Sequence, residues 1–319
     1  MIWLPVLTEN CNAPTTCVFA QFAKRYLLSA YQFIMGERDI ELFHFVNHVT
    51  RGKFRIIDSG IYTIYKDLWQ GKFDNIELTD HIKDYTHKYM ELLSKAKVTD
   101  PFIEVDSQNI TAPDDIWELR EIIRSYGFEK QVIYVWHLDD GMEAFERLIK
   151  DPKVHRISIS GREWQERGVP IENWLKIENK YKDDFVGKHV HVLGTTNPKL
   201  YSHCADSHSC DTSSWNAMLL YGEAKVNGQL LAKWKNKKLY APPKIIERIE
   251  EHLDDMRAMY VRHPHYCPSR NRSGVRMEYM RASAVALLAH IEYYDSLRVK
   301  SPNTDMSLHD PIDYWDRNS

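Results

Sequence analysis

The stretch Phe54-Arg-Ile-Ile-Asp-Ser-Gly60 decides the fold. An apolar run ends on a carboxylate, and two small residues follow it that let a ligand approach the backbone. A strand of a parallel α/β barrel presents a catalytic acid or nucleophile at its carboxyl end in this way. Much later in the chain, Ser209-Cys-Asp-Thr-Ser-Ser-Trp215 places a second aspartate, Asp211, in the same kind of setting. Two such carboxylates suggest chemistry at a sugar carbon.

Between these aspartates, short apolar runs alternate with longer amphipathic segments. The runs are Phe54–Ile57, Pro101–Val105, Gln131–Trp136, Arg156–Ile159 and His189–Leu193, rich in Val, Ile and aromatic residues. They predict buried parallel strands. The segments Thr79–Lys97, Asp114–Tyr126, Met142–Lys150 and Trp174–Phe185 predict the helices between them. Repeated βα units imply an α/β fold, a barrel or an open doubly wound sheet. No strand is followed by a Gly-x-Gly-x-x-Gly turn, and no Gly-Lys-Ser/Thr phosphate loop occurs. That absence favours a (β/α)8 barrel over the nucleotide-binding sheet.

Further along, Val226-Asn-Gly-Gln229 carries the dipeptide of a type I′ turn and predicts a late β-hairpin within 223–234. Pro242-Pro243 opens a helix expected to run to about Arg262, and a second long helix is expected from Gly274 to about Leu297. The expected organisation is a barrel over residues 1–235 with a helical C-terminal segment, 236–319, packed on it.

Composition sets the class. With 319 residues, 43% hydrophobic and 27% charged, the chain has the makings of one large globular α/β domain. A formal charge of −3 gives no global attraction for nucleic acid, so such binding needs a local basic face. The candidates are Lys233, Lys235, Lys237 and Lys238 around Trp234, and Arg270, Arg272, Arg276 and Arg281 interleaved with Tyr266 and Tyr279. The same charges also suit a solvated helix face. Five cysteines without a CxxC pair argue for a reducing, cytoplasmic setting. The N-terminus lacks the basic and long apolar regions of a signal peptide, and no stretch is long enough to span a bilayer, so no membrane partner is expected.

Five successive expected strand ends present polar or small residues to one mouth. Asp58 is followed by Ser59 and Gly60; Asp106 by Ser107 and Gln108, a set suited to the edge of a purine-like base. His137 ends the third run, as a ligand contact or as a hydrogen-bonded core histidine. Ser160-Gly161 and Gly194 end the next two, where glycine lets a flat ring lie on the backbone or simply turns a loop. Each aspartate also has a plain reading as a turn or cap. His203, Cys204, His208 and Cys210, with His263, His265 and Cys267, can be assembled on paper into a zinc site, but their spacings match no compact zinc template.

Taken in order, these motifs resemble the tRNA-guanine transglycosylase superfamily, and the compact size is most like its phage branch, the 7-deazaguanine DNA transglycosylases. The resemblance covers about residues 54–222. The family's Asp-Ser-Gly-Gly-Phe is matched by Asp58-Ser-Gly-Ile-Tyr62, which keeps the carboxylate and loses the second glycine. Asp106 falls at the family's base-reading aspartate. His137 stands where the family has glutamine, and Ser160-Gly161 stands for its Gly-Gly pair. His191-Val-Leu-Gly194 is similar to the strand before the nucleophile, and Asp211 falls at the nucleophilic aspartate. The C-x-C-x-x-C zinc motif of the tRNA enzymes is missing, which favours DNA over tRNA as the substrate.

The resemblance therefore implies exchange of a guanine in duplex DNA for a 7-deazaguanine such as 7-cyano-7-deazaguanine. It implies Asp211 as nucleophile, Asp58 as proton-handling group, and Asp106, Ser59, Gly60, Gln108, His137, Ser160, Gly161 and Gly194 around the base, with no metal or cofactor needed for the chemistry. The competing expectations are the same reaction on tRNA, a metal-dependent barrel hydrolase, and a non-catalytic nucleic-acid-binding subunit.

Overall fold

The computed structural model describes residues 2–7, 13–36, 40, 43–44, 46, 53–69, 78–108, 110–170, 172–195, 208–212, 221–226, 229–235, 238–261 and 273–299. Eight parallel strands close into a barrel in sequence order: β1 (Ile2–Leu7), β2 (Arg25–Ser29), β3 (Phe54–Asp58), β4 (Phe102–Ile103), β5 (Val132–Trp136), β6 (Arg156–Ser160), β7 (His189–Leu193) and β8 (His208–Thr212). Closure is made by β8 against β1, with Ser209 opposite Ile2 and Asp211 opposite Leu4. The expected (β/α)8 barrel is therefore the fold, and the N-terminal residues supply its first two strands.

Among the described residues, the helices between the strands include α1 (Ala13–Phe22), α2 (Tyr31–Ile34), α3 (Ile61–Trp69), α4 (Leu78–Lys95), α5 (Pro113–Ser125), α6 (Gly141–Lys150), α7 (Gly161–Glu166) and α8 (Glu172–Lys180). After β8 come an antiparallel sheet of β9 (Glu223–Val226), β10 (Gln229–Lys235) and β11 (Lys238–Tyr240), then α9 (Pro243–Glu251), α10 (Leu253–Val261) and α11 (Ser273–Val299). Helix α11 lies against α1, β1, β9 and β10, and every residue from Ala282 to His290 is buried. Among the described residues, no helix is long and apolar enough to cross a membrane.

Strand alternation sorts side chains into two layers. Inward positions Leu4, Val6, Leu27, Phe54, Ile56, Ile103, Ile133 and Val135 form an apolar plug inside the barrel. Outward positions such as Ile57, Phe102, Tyr134, Trp136, Ile157 and Val190 pack under the helices. There Phe145 touches Trp136, Trp174, Tyr181 and Phe185 with ring centroids 5.0–6.1 Å apart. Burying each such side chain stabilises the fold by roughly 1.5–3 kcal/mol. The plug is not continuous around the barrel. On β6 to β8 the buried inward positions are Ser158, His189, His191, Ser209 and Asp211, all polar, and half-buried Leu193 of β7 packs against the plug.

Several sequence expectations are corrected. Asp211 does not end an apolar run; it is the fourth residue of the strand His-Ser-Cys-Asp-Thr, buried throughout despite its polar composition. The helix expected over Trp174–Phe185 stops at Lys180 and continues as turns, from which Tyr181 and Phe185 still reach the aromatic cluster. The helix expected from Pro243 to about Arg262 breaks at His252, where the ring packs edge-on against Phe22 of α1. The late hairpin follows the last barrel strand and gains a third strand, β11.

Candidate active site

Asp58, the last residue of β3, alternates with Phe54 and Ile56 and so faces the barrel interior at its carboxyl end. Tyrosine hydroxyls fix the turn that carries it. Tyr89 of α4 donates to Ile57 O at 3.2 Å, and Tyr85, one turn earlier, donates to Ser59 O. A Cβ on Gly60 would lie 2.6 Å from Tyr31 Cβ and 2.8 Å from Ser29 Oγ, and its φ of +75° is left-handed. Glycine at this position is thus required by close packing against the end of β2. Protein atoms, not a ligand, fill that space.

Strand β4 leaves the sheet after two residues, and the side chains around it replace the lost ladder. Glu104 Oε1 accepts from Val135 N at 2.7 Å, while Arg120 Nη2 and Gln108 Nε2 donate to Val135 O at 2.9 and 2.8 Å. Arg120 and Glu104 form a buried two-pronged ion pair, with contacts of 2.8 and 2.9 Å. This early departure lets the chain at Val105–Gln108 reach across to the end of β5. Tyr65 of α3 donates to Asp106 O and ties that crossing to the β3 side.

The crossing brings Asp106 to His137. The imidazole is held on both sides: Nε2 lies 2.6 Å from Asp106 Oδ1, and Nδ1 lies 2.9 Å from Glu163 Oε2 on α7. Burial alone would lower the His137 pKa, but the two carboxylates outweigh it and push it up to about 11. His137 is therefore a charged clamp, with both ring nitrogens engaged, and not a neutral core histidine. Among the described residues, the Asp106 carboxylate makes its side-chain hydrogen bond through Oδ1 alone. Ser59 Oγ and Gln108 Oε1 are buried without a protein partner there, valences that water or a ligand has to meet.

The β6 and β7 ends serve mainly structure. Ser160 Oγ accepts from Glu163 N at 3.2 Å and caps α7. A Cβ on Gly161 would lie 2.8 Å from Thr195 Cβ and 3.1 Å from Leu193 O, so this glycine too is met by protein. Gly194, at φ +65°, turns its N–H onto Asp211 Oδ1 at 3.0 Å. The same oxygen receives His191 Nε2 at 3.2 Å. Behind His191 the polar interior continues: its Nδ1 is 2.8 Å from Ser209 Oγ, which is also 2.8 Å from His189 Nε2.

Asp58 and Asp211 thus share one face of one mouth, on strands separated around the barrel by β1 and β2. His189, His191, Glu163 and Arg162 are the residues that motif reading missed. The two histidines carry a readable signal, since they alternate with Val190 and Val192 and share one face of β7. Arg162 has no such signal. It stacks over the exposed Tyr62 ring at 5.1 Å and donates to its hydroxyl at 3.0 Å, joining the β3 and β6 ends across the mouth.

The metal-site candidates are not brought together where they are described. His208 and Cys210 alternate with Ser209 and Asp211, so they face the helices; His208 bonds Glu178 of α8, and Cys210 is in the outer core. His203, Cys204, His263, His265 and Cys267 lie outside the described residues, and no cluster of three potential ligands occurs among those described. Of the basic candidates, Lys233 is paired with Glu223 at 2.7 Å, while Lys235 and Lys238 are exposed and directly opposite one another on β10 and β11. Lys237, Arg270, Arg272 and the side chain of Arg276 lie outside the described residues. Comparison with known proteins returns no matching family model and no matching curated protein.

Proposed function

We propose that this chain is a DNA-guanine transglycosylase, exchanging a guanine of duplex DNA for a 7-deazaguanine such as 7-cyano-7-deazaguanine through a covalent aspartyl-glycosyl intermediate. One observation carries the reading: Asp211 sits inside the barrel mouth with both of its hydrogen bonds on Oδ1 among the described residues. The other oxygen, Oδ2, is the one left to attack. Base exchange with retention requires such a nucleophile and a second group that manages protons. Asp58, facing the same mouth from β3, supplies the second.

In the first half-reaction Oδ2 of Asp211 bonds to the anomeric carbon, and the C1′–N9 bond breaks with its electron pair going to guanine. Asp58 delivers a proton to the departing base. In the second, Asp58 takes a proton from the incoming 7-deazaguanine, whose nitrogen bonds to the anomeric carbon and expels the Asp211 carboxylate. Asp106, held through Oδ1 by His137, is an acceptor for the paired donors on the guanine edge. Gln108 and Ser59 complete that side.

A base in duplex DNA must first be flipped out, at a cost of roughly a few kcal/mol. Lys235 and Lys238 suit the phosphate contacts that offset it: like charges opposite each other in a sheet repel, and a polyanion relieves that repulsion. The test is to incubate the protein with duplex DNA and candidate 7-deazaguanines, digest to nucleosides, and look for the substituted nucleoside by mass. The expected result is product in DNA that disappears with D211N. Product formed only with tRNA would move the substrate to RNA, and product from neither would reject base exchange.

A further inference from the structure

The interior of β7 and β8 holds a chain of hydrogen bonds that base exchange does not by itself require. It runs from His189 Nε2 to Ser209 Oγ, from Ser209 Oγ to His191 Nδ1, and from His191 Nε2 to Asp211 Oδ1, at 2.8, 2.8 and 3.2 Å. His191 and Ser209 are fully buried, and His189 nearly so. Three polar side chains are sunk in a layer whose buried positions on β1 to β5 are Leu, Ile, Val and Phe. Among the described residues, the chain reaches the mouth at the Asp211 carboxylate.

We propose that this chain is directional, and that His191, as a neutral imidazole protonated on Nε2, is a positioning residue that fixes Asp211 Oδ1 as the bystander oxygen and leaves Oδ2 to bond the sugar. This rests on the reading of Asp211 as the nucleophile. Proton inventory sets the direction. An attacking carboxylate is ionised and only accepts, so the nitrogen facing it, Nε2 of His191, has to donate. Nδ1 of a neutral ring then accepts, and its partner Ser209 has to donate its single hydroxyl proton there. With that proton used, Ser209 Oγ can only accept from His189 Nε2. Each link points its donor toward Asp211.

The arrangement acts on both half-reactions. When Oδ2 is esterified, Oδ1 becomes a carbonyl oxygen with less charge, and the bonds from Gly194 N and His191 Nε2 weaken. When the incoming base expels Asp211, charge returns to Oδ1 and the same two donors strengthen again. They are fixed before reaction, which is how dipoles stabilise a leaving carboxylate without reorganisation. His191 touches no substrate atom in this scheme; it works through Asp211.

Two measurements test the proposal. The first needs no turnover: long-range 1H–15N correlation of the imidazoles in the wild-type protein, with the His191 signals identified by their loss in H191Q. A protonated Nε2 and a lone-pair Nδ1 are expected for His191; the opposite tautomer or a doubly protonated ring overturns the proposal. The second compares trapping and release of the protein-DNA adduct. H191L removes the donor and is expected to slow adduct breakdown about 100-fold, the scale of losing one preorganised donor. H191Q, whose amide reaches the Nε2 position, restores most of that loss, and S209A gives a smaller defect with the tautomer preference relaxed. H191L and H191Q equally impaired, or H191L within twofold of wild type, overturns it. A wild-type protein with the expected tautomer that traps no nucleic acid supports the donor chain and rejects base exchange instead.

Discussion

Replacing His137 by glutamine should flatten the dependence of stability on pH above neutrality. The imidazole is held between Asp106 and Glu163 at 2.6 and 2.9 Å, its side chain is 5% exposed, and its pKa is pushed up to about 11 from an ordinary 6.5. A folded-state pKa above the unfolded one means the native protein binds the extra proton. The linked stability is fully present below about pH 6.5, and it is lost as pH rises toward the folded value. One proton sets a ceiling slope of about 1.4 kcal/mol per pH unit, so between pH 7 and 9 the wild type should lose up to about 3 kcal/mol through this group. His290, which burial drives down to about 4, is neutral in both states over this range and does not contribute. The assay is denaturant unfolding of wild type and H137Q at pH 7 and 9, taking the difference of differences so that lysines and tyrosines cancel. Asp106 and Glu163 face each other across the site in H137Q, so that variant should also be the less stable one at pH 7. An identical pH slope for the two proteins would show that His137 carries no extra proton, and the charged clamp would be wrong.

Other outcomes follow from single interactions. R120M leaves Glu104 buried without its partner, and breaking such a pair typically costs about 3–5 kcal/mol, read as a fall in unfolding midpoint; a change below about 1 kcal/mol would mean that water replaces the guanidinium. G60A adds a left-handed strain of roughly 1–2 kcal/mol and an overlap with Tyr31 worth roughly 1–3 more, so it should destabilise the barrel, whereas a glycine kept for ligand approach would lose binding at unchanged stability. The double variant K235E/K238E should weaken duplex DNA binding and reduce the slope of log affinity against log salt by about 2, roughly one unit for each phosphate that a lysine no longer neutralises; an unchanged slope would take these lysines off the DNA.

The parts of the fold legible in the sequence are those where burial is apolar on both faces. β5, Val-Ile-Tyr-Val-Trp, is buried at every residue and announces itself, as do β3 and the apolar ends of β4. β8 does not, because its inward residues are Ser209 and Asp211 and its outward ones His208 and Cys210, so hydrophobicity gives no hint of a buried strand. β11 is three residues long, too short for any periodicity to register. The alternation of His189 and His191 with valines is readable, but it identifies a face only after the strand's neighbours are known. Asp106 and His137 are a related case. Each stands just beyond an expected strand, and their contact depends on β4 ending early, which Glu104 and Arg120 arrange from outside the barrel. No local pattern records the meeting of Tyr62 and Arg162, 100 residues apart.

The two halves of the barrel interior divide the work that a single pocket would have to do. From β1 to β5 the buried inward layer beneath Asp58 is aliphatic and aromatic, close-packed, and resistant to water. From β6 to β8 the buried part of the same layer is Ser158, His189, His191, Ser209 and Asp211, a sector that would cost stability if any member lacked a partner. Ser158 Oγ donates to His191 O, and the remaining members bond one another in a row that ends at the mouth. A barrel selected only for stability has no reason to keep this sector, since aliphatic side chains would fill the volume at lower risk. Its retention makes physical sense if the carboxylate at its open end must be held in one rotamer, with one oxygen occupied and the other offered. The charged clamp of Asp106, His137 and Glu163 stands on the β4 to β6 side of that same mouth and orders a second carboxylate by ionic means. One carboxylate is therefore held by hydrogen bonds from deep in the barrel and another by a cation at its rim, the division of labour that the proposed base exchange asks of a nucleophile and a base-reading acceptor.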